Sequence, residues 1–250
     1  MGGEGDWRQF TTVPNLLKQF NPRLRGASSG TFSLSGFNVA GRDALSGDLA
    51  DQARLLVSKL EQDPGVSMNT HWKLVTLAAG HSDLCRLSCR PGHAAHQFLR
   101  NVEAALDILV ALPNVLISLV SPMDPSLSAG ALHRPLSCQL FARQLCPCVA
   151  GTEAKPRTDF LLDLAEYRRG LATLVASPRY REATNALVVL QPALEGLQLP
   201  RDESLAVQVA GLPRLALLPD MSYLAPDCFH PSQKLHAKSK QFISEDLSST

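Results

Sequence analysis

Three short apolar runs separated by amphipathic segments constrain this chain more than any other feature. They are WKLVTLAA at Trp72 to Ala79, NVLISLV at Asn114 to Val120 and ALVVLQ at Ala186 to Gln191. Each has the length of a strand and too few polar residues for a face turned to water, so each asks for cover on both sides. Helical spacings stand around them. Leu49, Ala53, Leu56, Val57 and Leu60 share one face of a helix from Asp48 to Gln62, and two more helices are read from His93 to Ala111 and from Phe160 to Ala176. Asp48 can cap the first of these, and Asp63-Pro64-Gly65 ends it. Strands that alternate with helices give an α/β fold with a mainly parallel sheet covered on both faces. Chemistry in such a fold belongs to loops at the carboxyl ends of the strands. Here those loops follow Ala40, where Phe32, Leu34, Phe37 and Val39 alternate in Thr31 to Ala40, span Gly80 to Asp83, and run from Pro219 to Pro231.

At 250 residues, 45% hydrophobic and 19% charged, the chain fits one large domain with a sizeable core. Lys and Arg number 24 against 23 Asp and Glu, so no net field gathers a polyanion, and nucleic acid is not an expected partner. The most apolar run, Ala105 to Val120, is interrupted by Asp107, Pro113 and Asn114, which argues against a transmembrane helix. MGGEGDWRQF lacks the basic start and apolar core of a secretory signal, and Asp6 stands where a myristoylation signal wants Ser or Thr. Six cysteines, Cys85, Cys89, Cys138, Cys146, Cys148 and Cys228, point instead to an oxidised, extracellular setting. A leader upstream of Met1 in a longer product would reconcile the two cues. Disulfides are expected to pin the segment from Ser121 to Thr158 as a loop and a short helix, and six cysteines allow more pairings than spacing can choose among.

The sharpest chemical feature is PDCFHPS at Pro226 to Ser232. Asp227 and His230 lie three apart, so one helical turn can bring the carboxylate to the imidazole. There it fixes the tautomer and stabilises the imidazolium formed when histidine takes a proton from a nucleophile. The same spacing also occurs in plain surface turns, but here it follows the last strand at the catalytic edge of the sheet and precedes a final helix. A metal reading of Cys85-x3-Cys89, Cys146-Pro-Cys148 and His81 is weaker, because neither cysteine pair has the usual zinc spacing. His93, His96, His133 and His236 are read as surface or locally bonded residues.

Several segments in one order carry a resemblance. They are TTVPNLLKQFNPRLRG at Thr11 to Gly26, FNVA at Phe37 to Ala40, DLADQARLLV at Asp48 to Val57, and HWKLVTL at His71 to Leu77. The series continues with DLC at Asp83 to Cys85, LCPCV at Leu145 to Val149, VVLQP at Val188 to Pro192, and APDCFHPSQKLHA at Ala225 to Ala237. In these the chain resembles the SGNH or GDSL hydrolases, and within them the repeats of membrane-associated phospholipase B. The resemblance implies a three-layer α/β/α domain over residues 1–237, followed by a polar divergent tail at 238–250. It also implies extracellular or cell-surface disulfides, no cofactor and no metal. The implied chemistry is a serine nucleophile hydrolysing acyl esters of phospholipids, lysophospholipids or related lipids, with the membrane surface as their source.

Carried over by residue, Asp227 matches the family's orienting carboxylate and His230 its general base. The family's Gly-Asp-Ser nucleophile motif does not occur in the chain, whose GEGDWRQF at Gly3 to Phe10 already resembles the segment after it. The first strand of the family sheet is therefore expected to be missing, which would leave neighbouring backbone groups unpaired and the chain poorly folded alone. Oxyanion positions are altered too. Ser82 takes the family's asparagine place in GHSD, and Asp43 falls at its glycine, with Gly41 the alternative if the loop is shifted. GHSDL is also similar to a G-x-S-x-G elbow with Leu84 in place of the last glycine, which would make Ser82 a replacement nucleophile. The leading expectation is a phospholipase B-like hydrolase domain with weak or no turnover, and the rival is a non-catalytic module binding lipid or protein.

Overall fold

The computed structural model describes residues 6–10, 12–28, 36–41, 43–93, 95–129, 135–192, 194–207 and 216–236. The domain limit at residue 237 and the tail at 238–250 fall outside them, as does most of the Thr31 to Ala40 alternation. Along the chain run α1 (Val13–Phe20), α2 (Leu49–Gln62), β1 (Lys73–Ala78), α3 (His81–Arg86), α4 (Ala95–Val110) and β2 (Val115–Val120). They are followed by α5 (Ser126–Ala129), α6 (Leu136–Leu145), α7 (Pro147–Ala150), α8 (Arg157–Val175) and α9 (Pro178–Arg181). The last strands are β3 (Ala186–Gln191), β4 (Arg201–Val207) and β5 (Ala216–Pro219).

The three apolar runs form one parallel sheet in the order β1-β2-β3. Its register is set at both ends: Lys73 N–H donates to the Asn114 carbonyl at 2.9 Å, and Ser121 N–H to the Gln191 carbonyl at 3.0 Å. β2 is central, and its Val115, Ile117 and Leu119 are buried. The outer strands are less covered than double-sided burial requires. Leu74 on β1 and Leu187 on β3 are exposed, as is Trp72 just before β1, because among the described residues each outer strand pairs on one side only. This corrects the reading of all three runs as fully buried.

Two compact units emerge. The first takes residues up to Leu77, His96–Leu119 and Ala172–Val189. Its core side chains come from α2 (Leu49, Ala53, Leu56, Leu60) and α4 (Phe98, Val102, Leu106, Leu109) at the spacing that puts one face of a helix inside. Tyr180 is buried there with its hydroxyl donating to Asp107 Oδ1 at 2.9 Å. Gly26 has φ +82°, and a Cβ at that position would fall 2.0 Å from Phe37 Cδ2, so only glycine lets the ring lie on the turn.

The second unit takes Ala78–Ala95, Val120–Leu171 and the chain from Leu190 onward. It holds all three disulfides, Cys85–Cys146, Cys89–Cys148 and Cys138–Cys228, so no cysteine is left to ligate a metal. The segment expected to be a loop and one short helix contains α5, α6 and α7, because the bridges fix short helices that could not persist alone. β4 and β5 form an antiparallel pair, Arg201 opposite Pro219 and Val207 opposite Ala216, which the parallel reading did not contain. No helix of the described residues is long and apolar enough to cross a membrane.

Candidate active site

The loop carrying Asp227 and His230 is closed by its own backbone. Leu224 bridges Pro231, Ala225 N–H donates to the His230 carbonyl at 2.8 Å, and Cys228 N–H donates back to the Ala225 carbonyl at 2.8 Å. Ahead of it, Asp220 caps the turn at Met221–Tyr223; hydrogen bonds from Ser222 and Lys234 hold its carboxyl down at about 2.

No helical turn joins the pair, contrary to the sequence reading. Cys228, between them, has φ +59°, a left-handed conformation that ends any helix. The link is a turn built on the aspartate itself: Asp227 Oδ1 accepts the N–H groups of Phe229 at 3.0 Å and His230 at 2.9 Å, while Oδ2 meets His230 Nδ1 at 2.6 Å. Burial alone would raise the Asp227 carboxyl, but the bonds from the His230 ring and the two backbone N–H groups outweigh it and hold the pKa below the ordinary value. The carboxylate therefore keeps the proton of a neutral imidazole on Nδ1, leaving the Nε2 lone pair as the base. Nε2 has no hydrogen-bond partner among the described residues, and the side chain is 55% exposed.

Two anchors hold this loop. Cys228 is bridged to Cys138 on α6, and Phe229 is buried with Cys85, Ala142 and Cys146. Phe229 in turn meets His81 at 5.4 Å between ring centroids and the His230 ring edge-on at 5.2 Å. Desolvation, then the like charge of His230, pushes the His81 pKa down to about 4, against a hydrogen bond to the Met123 backbone and the charge of Asp124. His81 is thus a neutral ring near the dyad at pH 7. The sequence reading named it only as a weak metal ligand; no local spacing signals its place against a loop 148 positions further on, between residues 81 and 229.

The GHSD stretch, read as a loop, is the start of α3, with Gly80 at φ +97° as its cap. Ser82 lies on the first turn with no left-handed φ, so the strained backbone of a nucleophile elbow falls on Gly80 and not on the serine. Its hydroxyl makes no hydrogen bond to His230 or to any other group among the described residues. Asp83 beside it is buried. Asp43 belongs to the first unit and has φ +59°, the conformation that favours glycine, whereas Gly41 has an ordinary φ. The structure thus gathers Asp227, His230, His81 and Ser82 into the second unit and leaves Asp43 in the first. His93 bonds to buried Tyr167, and His96 and His236 are exposed, as read; His133 falls outside the described residues.

A hydrogen-bonded Asp-His pair on the loop after the last strand is what a serine hydrolase of the α/β class places there. Comparison with known proteins points the same way. The family model described as GDSL-like Lipase/Acylhydrolase matches residues 2–240. Phospholipase B1, membrane-associated, of Mus musculus is 33% identical over 250 residues, covering 96% of this chain and 16% of the mouse protein. The Homo sapiens protein of the same name is 34% identical over 247 residues, 95% of this chain, and the Rattus norvegicus one 32% over 248. The chain thus spans about one sixth of the length of these relatives, 16% in each. On the match along nearly its whole length, the chain belongs to the GDSL-like lipase/acylhydrolase family.

Proposed function

We propose that this chain carries the acid–base half of a phospholipase B-like lipid ester hydrolase. The observation that supports it is the Asp227–His230 bond of 2.6 Å on a half-exposed histidine whose Nε2 bonds nothing among the described residues. In such a reaction Nε2 takes the proton of a serine hydroxyl as its oxygen attacks the acyl carbonyl of a phospholipid or lysophospholipid. It then returns that proton to the departing alcohol oxygen, and Asp227 stabilises the imidazolium between the two steps. The Ser82 hydroxyl is the oxyanion candidate within the unit of the dyad, and Asp43, in a glycine-like conformation, is a candidate by family resemblance alone. The three disulfides support an extracellular or cell-surface setting.

Turnover by this chain is expected to be weak or absent, because no Gly-Asp-Ser triplet occurs in it and Ser82 is not bonded to His230. A second reading, a non-catalytic lipid- or protein-binding module, draws on the oxyanion positions themselves. A carboxylate at Asp43 opposes developing negative charge, and a serine at position 82 reaches less far than the asparagine of the family. A serine-directed fluorophosphonate, with the adduct mapped by mass spectrometry and His230→Ala as control, tests the expected lack of turnover. No adduct on the folded chain is the expected result. Labelling at Ser82 that disappears in His230→Ala would overturn it and show a working replacement nucleophile.

A further inference from the structure

Helix α6 is built inside out for a helix of its size. Its inward side is fixed twice to the dyad loop, by Cys138 through the bridge to Cys228 and by Ala142 packed with Phe229, Cys85 and Cys146. On the opposite side, one turn apart, Leu136 is 72% and Leu140 56% exposed, with Phe141 also exposed on the flank. A helix pinned at both buried positions cannot roll to hide these side chains. Single exposed leucines are ordinary, but two on the outer pole of one short helix beside an exposed phenylalanine form a patch that asks for a partner.

Charge selects the partner. α6 carries Arg143, exposed in its last turn, and no carboxylate. The sequence has no aspartate or glutamate anywhere from Pro125 to Thr152, in a chain that otherwise balances its charges. An apolar face edged by an arginine, on a segment without acids in its sequence, is the chemistry of a helix lying in the interface of a bilayer with anionic headgroups. We infer that the outward face of α6, Leu136, Leu140 and Phe141 with Arg143, docks the domain on an anionic phospholipid surface. This rests on the lipid reading proposed above for the nature of the partner. It adds the element that meets the lipid, one disulfide away from the dyad.

Flotation of the full chain with vesicles of phosphatidylcholine alone, or of phosphatidylcholine with phosphatidylserine, tests it without any need for turnover. The chain should float with the mixed vesicles. Leu136→Asp/Leu140→Asp should lower partitioning by about tenfold or more, and Arg143→Glu by about fivefold at low salt, a difference that fades at high salt. Leu140→Trp, a milder change, should show a blue-shifted emission on adding mixed vesicles. Equal flotation of the double variant, or no emission shift, overturns the inference. So does concentration-dependent self-association in ultracentrifugation that the double variant abolishes, which would assign the face to a second copy of the chain. A chain that floats yet labels at Ser82 leaves this surface standing and overturns only the expectation of weak or absent turnover.

Discussion

Cys138→Ala/Cys228→Ala should be the most destabilising removal of a bridge in this chain. The two cysteines stand 90 positions apart, and neither other bridge shortens the loop they close, since Cys85 and Cys89 both lie outside it. Loop-closure entropy for a ring of that length is worth about 4.6 kcal/mol at 25 °C. For a protein of this size that corresponds to a fall in Tm of about 9 to 18 °C. Cys89–Cys148 is a different case despite its separation of 59, because Cys85–Cys146 already joins nearly the same points of the chain. With that bridge intact, Cys89–Cys148 closes an effective ring of about eight residues, worth about 2.5 kcal/mol. Calorimetry under non-reducing conditions on both double variants should therefore find Cys138→Ala/Cys228→Ala the less stable by about 2 kcal/mol. Alkylation of the unreduced parent, read by intact mass, should find no free thiol. If the variant lacking Cys89–Cys148 melts at the same or a lower temperature, the topological argument is wrong and the anchoring of the dyad loop must be sought elsewhere.

Other outcomes follow from single side chains. His81, held near pKa 4 in the folded chain against an ordinary 6.5, stays neutral while the unfolded chain takes up a proton, so stability is full above about pH 6.5 and falls toward pH 4 by up to about 3 kcal/mol. His81→Gln should flatten that part of the pH profile of Tm; an unchanged profile would refute the desolvation of this ring. Asp227 has the opposite sign of charge: its depressed pKa adds stability above the ordinary carboxylate value, lost as pH falls through the folded one. Gly26→Ala should cost at least about 2 kcal/mol in denaturant unfolding, since both the φ of +82° and the contact with Phe37 resist a Cβ.

Much of the framework was legible because it repeats. The strands at Lys73, Val115 and Ala186 and the helices α2, α4 and α8 come within a few residues of their expected limits, since each is an uninterrupted apolar run or a one-faced helix. α3 was hidden because its start is polar and its apolar side, Leu84 and Cys85, finds cover only from distant segments, Cys85 through its bridge to Cys146. β4 was hidden for a related reason: RDESLAV has no apolar alternation, and its pairing with β5 is interrupted between Asp202 and Ala206. In the site, the pairing of Asp227 with His230 could be read from spacing, but the turn that joins them could not. It depends on a left-handed Cys228 whose partner is 90 residues away, and on His81 and Phe229 meeting across a gap no local pattern spans.

That turn also explains why the proposed pair needs no nucleophile to hold its geometry. The geometry of Asp227 and His230 is held by a disulfide, a buried phenylalanine and backbone hydrogen bonds, none of which involves a serine. The pair would then stand as it does whether or not turnover occurs, and its presence weighs on ancestry more than on rate. Costs within the loop are then unequal. Phe229→Ala removes a side chain only 3% exposed and should cost about 3 to 4 kcal/mol. His230→Ala removes a ring that is 55% exposed and half of a partly solvated hydrogen-bonded pair, and should cost less than about 1 kcal/mol. Equilibrium unfolding in urea measures both. If His230→Ala proves as damaging as Phe229→Ala, the dyad itself holds the loop, and its persistence is then explained by stability alone.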